Sequence, residues 1–496
     1  MLASVFGEPG GAAAAAPRPP TPDATHPWVM QQAATQVATG KVGALQPFTA
    51  PPKLPALGGG AGPQREVFGF ALASSLADPT YGYPSWDFSL LSTVAFFGLQ
   101  VQDDGSFAAD SGAAVWNSSQ LSGLLTIAHS HGVKVVLTII LQDFSPGTPH
   151  MCAGLLHAST TITNTVNEVK AKGVDGVNID YEGLNGSCGQ VDSSWARHIF
   201  TSFVGTLRTR LPAGSYLSVD TYASSATDSL GFFDVGGLAA YVDSYFVMAY
   251  DLEYSNYAYA PTGCSSFCLG PTAPLTGYHY NDTSTAAQYL AVVPASKVIL
   301  GVPYYGRKAC VATPTPNQKP TSAVIADPYF AASAEYASSL VKPGTYAAHR
   351  DANDPAGQER WDVWVNTSLN CIRELYWDDV VSLSQKYDLV NRDQLRGVGI
   401  WNLNYGGGAP ELWSALNHFA AVIHTRKAVS QAPPIPPPSR GPANHSTPGS
   451  PGPRIVNLPP GLTRRAITGT RPENLGADAS SSSTLASSTF YLARPN

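Results

Sequence analysis

One rhythm limits the fold of this chain more than any other feature. A helical stretch, a glycine or polar turn and a short run of apolar, often β-branched residues recur along most of its length. Ser118 to His131 has helical spacing, with Leu121, Leu124, Leu125 and Ala128 on one face, and runs through Gly132 into the strand-like Val133 to Leu141. Residues 160–172 close at Gly173 before a run from Asp175 to Glu182. Residues 192–211, with Asp192 or Ser193 available as cap, precede Tyr216 to Tyr222, and residues 230–241 precede Ser244 to Asp251. Residues 283–293 precede Lys297 to Tyr305, and residues 377–387 precede Gly397 to Leu403. A helix closed by glycine and followed by a β-branched run is the α-to-β step of a parallel sheet.

With Glu66 to Leu72 and Thr93 to Gln100 as the first two runs, and a last helix over residues 410–425, the count of strands reaches eight. Eight strands alternating with helices predict an α/β fold, a (β/α)8 TIM barrel rather than an open doubly wound sheet. Two spacers exceed ordinary loop length. One spans residues 252–282. The other, residues 308–374, is rich in Tyr, Trp and β-formers and is expected to be a small α+β insertion between strands 7 and 8.

Composition sets the domain limits. Residues 1–64 and 427–496 are rich in Ala, Pro, Gly, Ser and Thr, with few large apolar side chains to offset ordering entropy, so both are expected to be disordered or linker-like. The barrel is assigned to residues 65–426. A formal charge of −6 with 13% charged residues offers no basic stripe for nucleic acid. No apolar run reaches the roughly 18 residues of a transmembrane helix. The opening residues lack the basic start of a secretion signal. Six cysteines, an even count in segments read as loops or insertions, fit disulfides in an oxidising compartment, and Cys264 and Cys268 are close enough to bridge one loop. Zinc held by that C-x3-C pair is the weaker alternative.

The stretch from Asp175 to Glu182 carries the chemistry. Alternation with period two puts Asn178, Asp180 and Glu182 on one face of a strand and Val177, Ile179 and Tyr181 on the other. Asp175 has the opposite parity. Buried polar groups in succession are costly without partners, and they make sense in a cavity where a reaction occurs. The bland alternatives are ion pairs with a neighbouring strand or a cation held by Asp175, Asp180 and Glu182. In a barrel the site lies at the carboxyl ends of the strands. Glu182, Tyr250, Asp251, Tyr305 and Trp401 all fall there, and Phe70 ends the first strand.

These residues resemble glycoside hydrolase family 18, whose fourth strand carries D-x-x-D-x-D-x-E. Asp175, Asn178, Asp180 and Glu182 fill that pattern with Asn at the second acidic position. Met248 to Asp251, Gly301 to Arg307 and Gly397 to Trp401 match further, and the segment from Glu374 looks like the branch of spore-cortex and peptidoglycan N-acetylglucosaminidases. The resemblance implies a retaining hydrolase of β-linked N-acetylglucosamine polymers that works by substrate assistance. Glu182 is then the general acid, Asp180 orients the acetamido N–H, and Tyr250 holds its oxygen. Asn178, Asp251, Trp401, Tyr305, Arg307 and Phe70 are the implied substrate-binding residues. Asp251 and Arg307 are as well suited to binding each other. The implied protein is an extracellular or wall-associated monomer without metal or cofactor, with a polysaccharide as its partner. A glycan-binding lectin on the same fold is the alternative.

Overall fold

The computed structural model describes residues 28–52 and 63–430, with side chains through residue 420. Seven strands, β1 (Glu66–Leu72), β2 (Thr93–Gln100), β3 (Lys134–Asp143), β4 (Gly176–Gly183), β5 (Tyr216–Tyr222), β6 (Ser244–Met248) and β7 (Val298–Pro303), run parallel. Five more, β8 (Tyr305–Val311), β9 (Ile325–Pro328), β10 (Ala347–Arg350), β11 (Arg360–Asn366) and β12 (Cys371–Trp377), form a separate antiparallel sheet in the order β10-β11-β12-β8-β9. β13 (Gly397–Trp401) then pairs with both β7 and β1 and closes the eight-stranded barrel.

Aromatic side chains fill the barrel. Phe68 and Phe70, two apart on β1, point the same way. The Phe70 ring meets Phe246 at 4.8 Å and Trp401 at 4.9 Å between centroids. Gly399 is what admits Phe246, since a Cβ there would lie 2.2 Å from that ring. Burying each such side chain contributes roughly 1.5–3 kcal/mol. Around the barrel, Leu121, Leu124, Leu125 and Ala128 are buried on one face of the helix Ser119–Ser130, whose N-cap is Ser118. Tyr181, on the outer side of β4, stacks on Phe203 of the helix Trp195–Arg210.

Several expected boundaries move. The seventh strand ends at Pro303, so Tyr305 and Arg307 belong to β8 and start the insertion sheet. The sixth ends at Met248, leaving Tyr250 and Asp251 just beyond it. Residues 230–241 hold only the short helix Val235–Leu238, because Asp234 caps it and Gly236 and Gly237 weaken it. The helix expected from residue 377 begins at Val380, where Asp379 accepts from the N–H groups of Val381 and Ser382, and β12 occupies the residues before it. Neither Asp192 nor Ser193 is the cap before Trp195; Ser194 stands there, without a side-chain bond to the helix N–H groups. The last helix runs from Pro410 to Ser430, past the limit expected at residue 426. The six cysteines pair as Cys152–Cys188, Cys264–Cys268 and Cys310–Cys371, which removes the zinc alternative.

The N-terminal expectation is corrected in part. Residues 28–52 are folded: Val29–Thr39 is a helix that buries Val29, Met30, Ala33, Ala34 and Val37. Beyond it, the Phe48 N–H donates to the carbonyl of Asn117 and the Ser119 N–H to that of Gln46. Residues 1–27, 53–62 and 431–496 of the two expected tails lie outside the described residues.

Candidate active site

The pleat of β4 turns Asn178, Asp180 and Glu182 into the barrel, where each is at most 1% exposed. Gln142, at the end of β3, pairs with Glu182 in the parallel register. Its amide donates to Glu182 Oε1 at 2.7 Å and to Asp180 Oδ2 at 3.0 Å. One neutral group thus bridges both carboxyls. On the other side, Asn178 Nδ2 donates to Asp220 Oδ2 at 2.8 Å, and the Ser218 hydroxyl donates to Asn178 Oδ1 at 2.6 Å. Asp220 lies on β5 and is fully buried.

Three buried carboxyl groups therefore lie together, and no cation among the described residues pairs with them. Burial pushes Asp180 up to about 8, against the pull of its hydrogen bonds to Gln142 and Glu182. Burial raises Glu182 well above the ordinary carboxylate range, and the charges of Asp180, Asp220 and Asp251 add to it. Asp220 is raised too, by burial and then by Asp180. All three shifts run toward the neutral form, as expected where like charges crowd in a low dielectric.

Tyr250 and Asp251 follow β6. The Tyr250 phenol is held protonated by burial and by the four carboxyls near it. Asp251 has φ of +56°, a left-handed conformation that costs a non-glycine residue about 1 kcal/mol. Two side chains from β8 hold it there: the Tyr305 hydroxyl donates to Asp251 Oδ1 at 2.5 Å and Arg307 Nη2 at 2.7 Å. Arg307 is fully buried and also lies 3.4 Å from Glu253. The choice between sugar and Asp251 as its partner falls to Asp251.

A cavity at this end of the barrel is lined by Glu182, Tyr250 and Asp251 together with Tyr222, Met248, Trp28 and Met30. Asn178, Asp180, Tyr305, Arg307, Phe70 and Trp401 stand behind that wall. Phe70 and Trp401 pack edge to face in the aromatic floor with Phe97. Asp175 sits elsewhere: its carboxylate accepts from the Val135 N–H at 2.7 Å and pairs with His129 at 2.9 Å, at the opening of β4, far from Glu182. It ties two strands together and cannot join Asp180 and Glu182 around a cation. Among the described residues, no cluster of three or more His, Cys, Asp or Glu side chains has a metal-binding arrangement.

Gln142, Asp220, Tyr222 and the two N-terminal residues were not anticipated. Asp220 and Tyr222 had a readable signal, since Ser218, Asp220 and Tyr222 alternate on β5 as Asn178, Asp180 and Glu182 do on β4. Trp28 and Met30 had none, because nothing local ties them to the barrel.

The family model of Glycosyl hydrolases family 18 matches residues 80–406. A putative sporulation-specific glycosylase, YdhD of Bacillus subtilis, is 28% identical over 271 residues, 51% of this chain and 53% of its own length. The chain thus spans about half of that protein. The human di-N-acetylchitobiase is 24% identical over 395 residues, covering 71% of this chain and 84% of its own. In fold, the crystal structure of the Ostrinia furnacalis Group IV chitinase in complex with allosamidin superposes with a TM-score of 0.57 at 17% identity, over 73% of this chain and 99% of that one.

Proposed function

This chain belongs to glycosyl hydrolases family 18, and on that premise we propose that it is a retaining glycosidase of β-linked N-acetylglucosamine polymers, chitin or peptidoglycan. The observation that carries the reading is the place of Glu182 at the cavity wall, bridged to Asp180 by Gln142 and facing the space beside Tyr250, where burial raises its pKa. A carboxyl kept protonated at neutral pH is what a general acid for the glycosidic oxygen requires.

In the proposed reaction Glu182 donates its proton to the leaving oxygen. The carbonyl oxygen of the substrate's own 2-acetamido group attacks the anomeric carbon, and that bond forms as the glycosidic bond breaks. Tyr250 donates to the acetamido oxygen and holds it in line, which is worth most when the reacting atoms are already in contact. Asp180 accepts from the acetamido N–H. Substrate binding favours its ionised form, with the proton released to solvent, because the N–H and the positive charge that grows on the oxazolinium ring both stabilise the carboxylate. Water, deprotonated by the Glu182 carboxylate, then opens the ring with retention. Asn178 holds Asp220 in place through their hydrogen bond.

Asp251 lines the cavity while β8 holds Oδ1, so its Oδ2, which accepts the Val29 N–H in this structure, suits a sugar hydroxyl, with Tyr305 and Arg307 as its supports. Trp401 and Phe70 support the cavity wall from behind with their edge-to-face packing. The names of the relatives, a sporulation-specific glycosylase and a di-N-acetylchitobiase, support N-acetylglucosamine glycans as the substrate class. Three disulfides suit an extracellular or wall-associated protein.

The test is product analysis on N-acetylglucosamine oligomers and purified peptidoglycan with the full chain and with Glu182→Gln. The variant is expected to lose a factor of about 10² to 10⁴ in kcat while still binding the oligomer. Equal cleavage by both would refute the assignment of the acid. Binding without cleavage by the parent would make the protein a lectin.

A further inference from the structure

The residues just before and at the start of the N-terminal helix occupy the wall where the proposed reaction needs the sugar. Val29 and Met30 are 0% and 1% exposed. The Val29 N–H donates to Asp251 Oδ2 at 2.8 Å, and the Tyr250 hydroxyl donates to Met30 Sδ at 3.3 Å. The Trp28 ring stands edge-on to Phe144 at 4.6 Å and to Tyr222 at 5.4 Å. Trp28 and Met30 line the same cavity as Glu182. The phenol and the free carboxylate oxygen that would meet an acetamido group and a hydroxyl are both spent on the chain itself.

The fit has a physical basis at each contact. The first N–H groups of a helix have no partner inside it and carry the positive end of its dipole. Trp28 provides no side-chain cap, so Asp251 takes that role from the other side of the barrel. The apolar stripe of Ala33, Ala34 and Val37 seats the rest of the helix near the ends of β1 and β2, where Gln100 Nε2 donates to the Ala34 carbonyl at 3.3 Å. A thioether, by contrast, is a weak acceptor for Tyr250. An amide oxygen in its place would make the stronger bond.

We infer that Trp28–Thr39 is an internal competitor for the glycan: it holds the catalytic cavity shut, and an N-acetylglucosamine chain enters by displacing it. The inference rests on the proposed function, because it takes Tyr250 and Asp251 as sugar-binding groups. Competition is reciprocal. The bound oligomer loosens the segment, and the seated segment lowers apparent affinity by the fraction of molecules that are open.

The experiment uses the full 496-residue chain. Hydrogen exchange of residues 29–39 is measured with and without an N-acetylglucosamine oligomer, for the parent and for two variants. Met30→Asp sets a carboxylate against the acidic cavity. Val29→Pro removes the N–H that Asp251 accepts while remaining acceptable at the first helical position. In the parent, the oligomer is expected to speed exchange in residues 29–39 and leave the barrel strands protected. Both variants are expected to exchange fast without it and to bind the oligomer tenfold or more tightly, with kcat/KM raised to match. Parent exchange that is unchanged or slowed by bound oligomer overturns the inference, as does equal oligomer affinity in parent and variants. If the variants bind more tightly yet nothing is cleaved, the hydrolase reading fails and the competing segment stands.

Discussion

Two sets of buried carboxyls in this molecule meet opposite surroundings. Glu359 and Asp354, in the insertion between β10 and β11, grip the spacer after β6. Glu359 accepts from the Thr272 N–H and hydroxyl and from the Ala273 N–H, at 2.7 to 2.9 Å. Asp354 accepts from the N–H groups of Leu275, Thr276 and Gly357 and from the Thr276 hydroxyl. In the barrel, Asp180 and Glu182 share the single amide of Gln142, and no amide, hydroxyl or cation among the described residues reaches Asp180 Oδ1 or Asp220 Oδ1. All five residues are buried to within 1%. Burial alone therefore does not separate a structural acid from a reactive one; the supply of donors does. Burial raises Glu359 as it raises Glu182, so the two sets differ in what their oxygens meet: a carboxyl that accepts from several N–H groups holds chain in place, whereas one left short of donors has an oxygen free for a proton or a substrate group.

The largest contrast is expected from one substitution in each set. Asp180→Asn should lower kcat by a factor of roughly 10² or more, since the acetamido group loses its anionic partner. It should also make the fold more stable at pH 8. The folded value of Asp180, about 8, stands above an unfolded value of about 4. Its bound proton therefore stabilises the fold fully below about pH 4, and that contribution is lost as pH rises to about 8. Asn never ionises, so its gain over the parent should grow by up to about 5 kcal/mol between pH 4 and pH 8, read by urea denaturation at both. A variant less stable than the parent at pH 8 would break the comparison. Glu359→Ala should behave in the opposite way. It leaves two buried N–H groups and a hydroxyl unmatched and should cost about 3–5 kcal/mol, and below its melting transition kcat should hold within a few-fold.

The same distinction explains what could be read from the sequence. The barrel strands β1, β2 and β5 end where their apolar runs end, because local pattern and tertiary burial agree there. The run through Gly301 to Arg307 was harder to divide. Its β propensity is continuous, yet the chain leaves one sheet at Pro303 and enters another at Tyr305. The role of Asp175 depended on reach rather than type, since its carboxylate bonds β3 and a helix at the far end of the barrel. The helix Val29–Thr39 has an apolar face of Val29, Met30, Ala33, Ala34 and Val37, but that pattern names no partner; the cavity and carboxylate that receive it come from the barrel. Local sequence does not encode a partner more than 200 residues away.

A smaller effect sharpens the comparison from inside the barrel. Asp220 touches Asn178 and not the cavity wall, so it is a positioning residue, and Asp220→Asn should lower kcat about tenfold while leaving KM nearly unchanged. The diagnostic readout is the pH profile. Glu182 must be protonated to act, so the rate falls as pH rises through its raised pKa. Part of that elevation comes from the charge of Asp220, and removing the charge lets Glu182 ionise more easily. The falling limb of kcat/KM should therefore move to lower pH in Asp220→Asn. A merely structural Asp220 would lower the whole profile without moving it. A limb that stayed in place would mean that Asn178 screens the two carboxyls from each other, and that Asp220 belongs with the gripping acids of the insertion rather than with the reactive pair.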